Sequence, residues 1–193
     1  MNRFLLPLGA FILLAVVLAV GVRQSPQKGL IISPFIGKPA PHFSLPDLHD
    51  ASRTVSSSDL KGRWYVFNVW GTWCYACRME HSTLLEARKQ GVVPIIGLDW
   101  KDDDGDALAY LKQLGNPFDV VIADRDGRTA INYGVYGAPE TFLVDPRGII
   151  VYKYVGPITR EVWDKEFVAR IRAPAGAQPR AMGEDSPATA GAS

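Results

Sequence analysis

Cysteine is scarce in this chain, with two in 193 residues, at positions 74 and 77. That excludes the multi-disulfide framework that staples small secreted folds. Histidine is scarce too. His42, His49 and His81 are scattered, so no metal cluster is evident and none is expected. An excess of charge of either sign is also missing. Twenty-one basic residues face 20 acidic ones, for a formal net charge of +1, which argues against nucleic acid as a partner. What is plentiful is apolar: 47% of the residues are hydrophobic and only 21% charged. That composition fits a packed core, and the length favours one domain.

Residues 4–22 carry no charge and lie between Arg3 and Arg23. At about 1.5 Å per helical residue they span close to the roughly 30 Å hydrocarbon layer. A cleaved signal peptide has a shorter apolar region, about 7–15 residues, and Ala19-Val20-Gly21 is a poor cleavage site. A retained membrane anchor is therefore expected, with cleavage as the alternative. Arg3 on one side and Arg23, Lys28 and Lys38 on the other leave the orientation unset. At the far end, residues 173–193 are mostly Ala, Gly, Pro and Ser, with Met182 the only large apolar side chain. Such a segment buries too little to offset its ordering and is expected to be disordered.

Between these ends the pattern alternates strand and helix. Prolines in 33–50 suggest an extended lead-in or edge strand, and Ser56, Ser57 and Ser58 can cap a brief turn before Gly62. Residues 64–70, aromatic and β-branched, read as a central strand covered on both faces. A helix follows from about Cys74 to Lys89, with Met79, Leu84, Leu85 and Ala87 as its apolar surface and Gly91 as its stop. A second buried strand at 92–99 is weakened by Pro94. Asp102, Asp103 and Asp104 can cap a helix whose face is Ala107, Leu108, Leu111 and Leu114. A short strand at 120–123 precedes a loop at 133–137. Strands at 141–144 and 149–154 flank an Asp145-Pro146-Arg147-Gly148 turn and form a hairpin. Thr159 can cap a last helix with Val162, Trp163, Phe167, Val168 and Ile171 inward. This is an α/β core, and the late hairpin makes its central sheet mixed.

The two cysteines sit where the first long strand turns into its helix. A lone C-x-x-C is half a zinc site, and zinc needs two further ligands that the sequence does not offer nearby. As a structural clip it closes too small a loop to constrain the unfolded chain much. Thiol–disulfide exchange fits better. Cys74 at the helix start faces free backbone N–H groups and the positive end of the dipole, which favour thiolate. Cys77, one turn on and expected to be the more buried, can resolve a mixed disulfide. Trp73 beside the thiol offers an apolar platform for a peptide. Trp70 reads as core, the charged run 101–106 as a solvated loop, and His81 as structural.

Several blocks together resemble the DsbE/CcmG family of thioredoxin-like proteins of cytochrome c maturation. They are Asn68-Val69-Trp70-Gly71-Thr72-Trp73-Cys74, Cys77-Arg78-Met79-Glu80-His81, Gly97-Leu98-Asp99-Trp100-Lys101-Asp102-Asp103, Leu114-Gly115-Asn116-Pro117-Phe118 and, most selectively, Gly134-Val135-Tyr136-Gly137-Ala138-Pro139-Glu140-Thr141-Phe142-Leu143. The resemblance covers about residues 37–171. It implies a thioredoxin-like fold hung from the bacterial inner membrane by a single pass. It divides the chain into a cytoplasmic tip and transmembrane anchor (1–22), a periplasmic stalk (23–36), the thioredoxin-like domain (37–172) and the tail (173–193).

The implied activity is reduction of the disulfide at apocytochrome c C-x-x-C-H sites, directly or through a haem-ligation thiol partner. A transmembrane carrier of the DsbD or CcdA type would supply electrons. No cofactor is implied beyond the Cys74–Cys77 disulfide. Cys74 matches the nucleophile, Cys77 the resolving thiol and Pro139 the cis-proline opposite them. Ala138 would offer its backbone to a client, with Tyr75, Tyr136 and Trp73 shaping the groove. Asn68 stands where thioredoxin has a buried Asp and cannot accept a proton, so Glu140 or Glu86 would be the assisting carboxylate. Tyr75 and Ala76 between the cysteines depart from members with proline there. Alternatives are a membrane-tethered reductase with another client and a binding module with a passive disulfide. A peroxidase is disfavoured: the lead-in around Pro41 and Phe43 is vaguely peroxiredoxin-like, but the P-x3-T-x2-C arrangement is absent.

Overall fold

The chain divides into two units, Met1–Ile31 and Ile32–Ser193. The computed structural model describes residues 5–23 of the first and 33–173 of the second. Most of the expected stalk, and the expected tail beyond residue 173, lie outside the described residues.

In the first unit, α1 (Leu5–Arg23) is a 19-residue helix with one charge, at its last position. Eight apolar side chains between positions 11 and 20 are 46–68% exposed. Among the described residues no helix is long and apolar enough to cross a membrane; the side chains of several α1 positions lie outside that description.

The second unit is built on β3 (Tyr65–Trp70), whose six residues are all buried. Its aromatic and β-branched side chains alternate between the two faces of the sheet and fill a core on each. β4 (Ile95–Trp100) and β5 (Val120–Asp124) add on one side in parallel. β6 (Glu140–Val144) and β7 (Ile150–Val155) add on the other, antiparallel. The order is β5-β4-β3-β6-β7, the mixed sheet expected. Pro94 falls just outside β4, since it has no N–H to give a ladder.

One face of this sheet carries α2 (Tyr75–Gln90), α3 (Asp104–Leu114) and the C-terminal helices. These are α5 (Arg160–Val162), a π-helical stretch at Trp163–Val168 and α6 (Ala169–Arg172). Val66, Trp70, Leu84, Leu111, Leu143, Trp163 and Phe167 pack there. The other face carries α4 (Arg128–Asn132) and a two-stranded hairpin, β1 (Ser44–Pro46) with β2 (Thr54–Ser56). Phe43, Phe67, Ile122, Tyr133 and Phe142 pack on that side.

Several local expectations hold for the reasons given. Ser56 caps a 3-10 turn, Ser57–Leu60, through a capping box with Asp59. Asp103 caps α3 by accepting from Gly105 N and Asp106 N, and Thr159 caps α5. Gly91 ends α2 at φ 62°, a conformation glycine adopts without steric cost.

Others are corrected. Met79 points outward at 59% exposure. The inner face of α3 is Ala107, Tyr110 and Leu111, while Leu108 and Leu114 are exposed, because 107, 110 and 111 share one stripe at 3.6 residues per turn. Residues 33–36 form a turn seated on the domain: Gly37 N–H donates to Ile150 O at 2.8 Å, and Phe35 packs on the second core.

Candidate active site

β3 ends at Trp70, and the chain turns through Gly71, Thr72 and Trp73 into α2. Cys74 is the N-cap of that helix: its Sγ accepts from Cys77 N–H at 3.1 Å. A half-in N-cap residue leaves its side chain over the unsatisfied N–H groups of the first turn. The two cysteines are joined as a disulfide, with Cα atoms 5.3 Å apart. Both are buried, at 6% for Cys74 and 4% for Cys77, so the expected difference in exposure is narrow.

The turn is held from outside by the segment after β4. Asp102 accepts from the Thr72 backbone N–H and from Thr72 Oγ1, the latter at 2.8 Å. Trp73 Nε1 donates to Trp100 O at 3.0 Å, and the two indoles meet edge to face at 5.6 Å. Gly71 lets the indole of Trp73 close over the turn, because a Cβ there would fall 2.5 Å from Trp73 Nε1. The charged run at 101–106 thus contributes a fixed brace as well as a solvated surface.

β6 pairs Glu140 with Val69, so the loop at 133–139 reaches the end of the sheet from which the Cys74 turn leaves, and its Ala138–Pro139 bond is cis. Pro139 is buried and Ala138 half-buried. Among the described residues the Ala138 N–H and C=O have no backbone partner, while Pro139 O accepts from Gly156 N–H at 3.0 Å. Trp73, Tyr75 and Tyr136 stand 53%, 79% and 65% exposed around this edge.

The carboxylates are arranged differently from the expectation. Glu86 is solvent-facing, paired with Lys89 at 2.7 Å. Nine residues separate it from Cys77, about 13 Å along the helix. The Lys89 partnership holds its carboxyl below the usual range. Glu140 is fully buried, but it alternates with Phe142 and Val144 onto the face opposite α2. It pairs there with Lys153 at 2.7 Å and accepts from Tyr136 N–H at 3.2 Å. The structure brings neither side chain to the α2 side of the sheet.

The acid on that side is Glu80. It lies three residues after Cys77, one turn on along the same helix face, and is 1% exposed. Its Oε1 accepts from Asn68 Nδ2 at 2.9 Å and its Oε2 from Ile158 N–H at 2.8 Å. Burial outweighs those bonds and pushes its carboxyl up to about 7. Asn68 also donates to Thr141 Oγ1 at 2.9 Å. Helical spacing from Cys77 was the signal that could have found Glu80, and strand alternation the one that could have moved Glu140 away.

His81 is structural: its Nε2 lies 3.0 Å from Gly115 O, its ring stands edge-on to Tyr110, and burial holds its imidazole below the usual value. Among the described residues no group of three or more His, Cys, Asp or Glu is arranged to hold a metal ion. The redox group is the Cys74–Cys77 disulfide itself.

A cysteine pair at a helix N-terminus, leaving a central strand and bordered by a cis-proline loop, defines a thioredoxin-fold thiol:disulfide oxidoreductase. The sequence profile of the AhpC/TSA family matches residues 36–153, a stretch that includes the lead-in around Pro41 and Phe43. The chain is 46% identical over 166 residues to the thiol:disulfide interchange protein DsbE of Allochromatium vinosum, covering 86% of this chain and 91% of that protein. It is 46% identical over 163 residues to DsbE of Pseudomonas aeruginosa, covering 84% and 89%. A crystal structure from Chlorobium tepidum, described as a DsbE thiol:disulfide interchange protein, aligns with a TM-score of 0.62 at 28% identity, over 70% of this chain and 97% of that one. The chain belongs to the AhpC/TSA family and, within it, to the thiol:disulfide interchange proteins of the DsbE type.

Proposed function

We propose that this protein is a membrane-anchored periplasmic reductant that opens the disulfide of apocytochrome c C-x-x-C-H sites, directly or through a haem-ligation thiol partner, before haem attachment. The observation that carries the reading is Cys74 at the N-cap of α2, accepting from Cys77 N–H beside an unpartnered Ala138 backbone.

The chemistry runs as a two-electron exchange. In the reduced protein the Cys74 thiolate, stabilised by the helix N-terminus, attacks one client sulfur. The client S–S bond breaks, its other sulfur leaves as a thiolate and takes a proton, and a mixed disulfide remains. Cys77 then loses its proton and attacks Cys74 Sγ. The Cys74–Cys77 bond forms and the second client thiolate leaves. The client gains two electrons and two protons, and the protein keeps the disulfide. Glu80, poised near 7 by burial, is the group suited to take the Cys77 proton, in place of Glu140 or Glu86. Trp73, Tyr75 and Tyr136 give the client apolar faces, and the Ala138 backbone pairs with its extended chain. Proline at 139 contributes no N–H that would compete near the sulfurs.

The exposed apolar side chains of α1 support a membrane anchor within residues 1–22, and the catalytic domain then runs from the turn at residues 33–36 to residue 172. A transmembrane dithiol carrier of the DsbD or CcdA type would return electrons to Cys74–Cys77. The reduction potential of this pair tests the direction of flow. A value below roughly −180 mV makes it a net reductant toward isomerase-like couples. A value near roughly −120 mV, that of strong oxidants, overturns the assignment.

A further inference from the structure

Lys153 lies on β7 directly across from Phe142 of β6, on the sheet face away from α2. Its side chain is only 5% exposed, and its Nζ stands 2.7 Å from Glu140 Oε2. The same ammonium donates to Gly134 O at 2.9 Å. The rings of Tyr136 and Phe142 lie 5.2 and 5.1 Å from it, within cation–π range. The second oxygen of Glu140 accepts from Tyr136 N–H at 3.2 Å.

Apart from the Phe142 ring, every one of these contacts falls on one short segment. Gly134 begins it, Tyr136 is at its middle and Glu140 ends it. Ala138 and cis-Pro139, the edge beside the disulfide, lie between. A buried ion pair is a poor device for stability alone, because desolvation offsets its attraction. Here it ties a surface loop to the sheet at three points and sets the ring of Tyr136 over the ammonium.

We propose that Lys153 is a positioning residue for client docking. Its ammonium holds the 134–140 segment, through Glu140, Gly134 and Tyr136, so that the Ala138 backbone and the Tyr136 face are pre-set for an extended peptide. It touches no reacting sulfur. Preorganising a docking edge lowers the ordering cost of binding and leaves thiol chemistry alone. The inference rests on the reading that clients pair with the Ala138 backbone.

The test uses the full chain in detergent, as wild type and as Lys153→Met, Lys153→Gln and Lys153→Arg. Two peptide disulfides, one with a C-x-x-C-H site and one of unrelated sequence, are reduced with reduced dithiothreitol as the electron source, and the rate at which dithiothreitol alone reopens Cys74–Cys77, which needs no docking edge, is read beside them. In Lys153→Met the KM for both peptides is expected to rise about tenfold, with kcat and the dithiothreitol rate changed less than about twofold. Lys153→Arg, which keeps the charge, recovers most of the loss. If Lys153→Met does not fold, Lys153→Gln, which keeps a donor for Gly134 O, is read in its place. An unmoved KM, or peptide and dithiothreitol rates falling together, overturns the proposal. Equal treatment of the two peptides by wild type sinks the cytochrome client instead, and the KM comparison still decides the role of Lys153.

Discussion

The side-chain amide of Asn68, at the centre of the sheet, donates to Glu80 on the redox helix at 2.9 Å. Where thioredoxin keeps its buried acid on the strand, this chain has the amide on the strand and the acid on the helix. The proton acceptor is therefore covalently close to the thiol it would serve, one turn along α2. Its two hydrogen bonds fix it against both the sheet and the segment before α5.

Glu80→Gln should change both chemistry and stability. In the folded state the carboxyl titrates near 7 and in the unfolded chain near 4.5. The folded protein thus holds more protons between those values, and its stability falls as pH rises through that window. The glutamine variant removes this slope, but its amide nitrogen cannot accept the bond that one Glu80 oxygen takes, so it is less stable than wild type at pH 4.5 and closes most of that gap by pH 8. Urea melts of the oxidised protein at pH 4.5 and 8 would show it. Resolution of a preformed mixed disulfide at Cys74 should lose its rise through pH 7. An unchanged profile would remove Glu80 from the proton path.

A second buried acid lies next to the brace, on β4 one residue before Trp100. Asp99 is 2% exposed, and burial, followed by the charges of Asp102 and Asp104, pushes its carboxyl up to about 8. The sign is the same as for Glu80. The stability it contributes is intact below about pH 4, declines through the window and is gone above pH 8. Asp99→Asn is expected to lessen the fall of the melting temperature across pH 4–8, leaving the part that Glu80 causes, and to raise it at pH 9, by an amount worth a few kcal/mol on the order of the shift. A variant less stable at pH 9 would contradict this.

The sheet and the cysteine pair were legible because their signals are local. An unbroken aromatic and β-branched run marks a doubly covered strand, and Cys74 follows it at a helix start. What the sequence hid depends on partners distant in the chain. Asp102 read as solvated loop, yet it accepts from Thr72, thirty residues away. Lys153 carried no flag in an alternating strand, and only its pairing across the sheet places it under Tyr136. The short α4 and strand β2 escaped because a few residues show no period. Met79 was misread because hydrophobic character does not say which face of α2 meets the sheet.

Gly71→Ala should act on Trp73 rather than on the backbone. The added Cβ would lie 2.5 Å from Trp73 Nε1, so the indole must swing away from Trp100 O. Loss of that hydrogen bond costs about 1 kcal/mol, and the apolar platform beside Cys74 moves with it. Tryptophan fluorescence should shift toward more solvated values, and KM for a peptide disulfide should rise while exchange with dithiothreitol is nearly unchanged. An unshifted spectrum would mean that the ring has room to tolerate the methyl.

Cys77→Ser separates an active dithiol from a passive clip. Cys74 Sγ sits over the first turn of α2 and accepts from the backbone N–H of residue 77, a bond that serine at 77 leaves in place. The remaining thiol should keep the helix N-terminus as its stabilising partner and ionise below the ordinary thiol value of about 8.5. Alkylation by iodoacetamide should then follow a pH midpoint below that of a model thiol. With an oxidised C-x-x-C-H peptide the variant should accumulate a mixed disulfide at Cys74, visible by mass, because no resolving sulfur remains. Cys74→Ser should form far less adduct, since Cys77 lies inside the first turn and lacks the N-cap position that sets Cys74 Sγ over the free N–H groups. Equal trapping by the two variants would mean that the N-cap position does not distinguish the sulfurs. No adduct with either would leave the disulfide as a clip and withdraw the client chemistry.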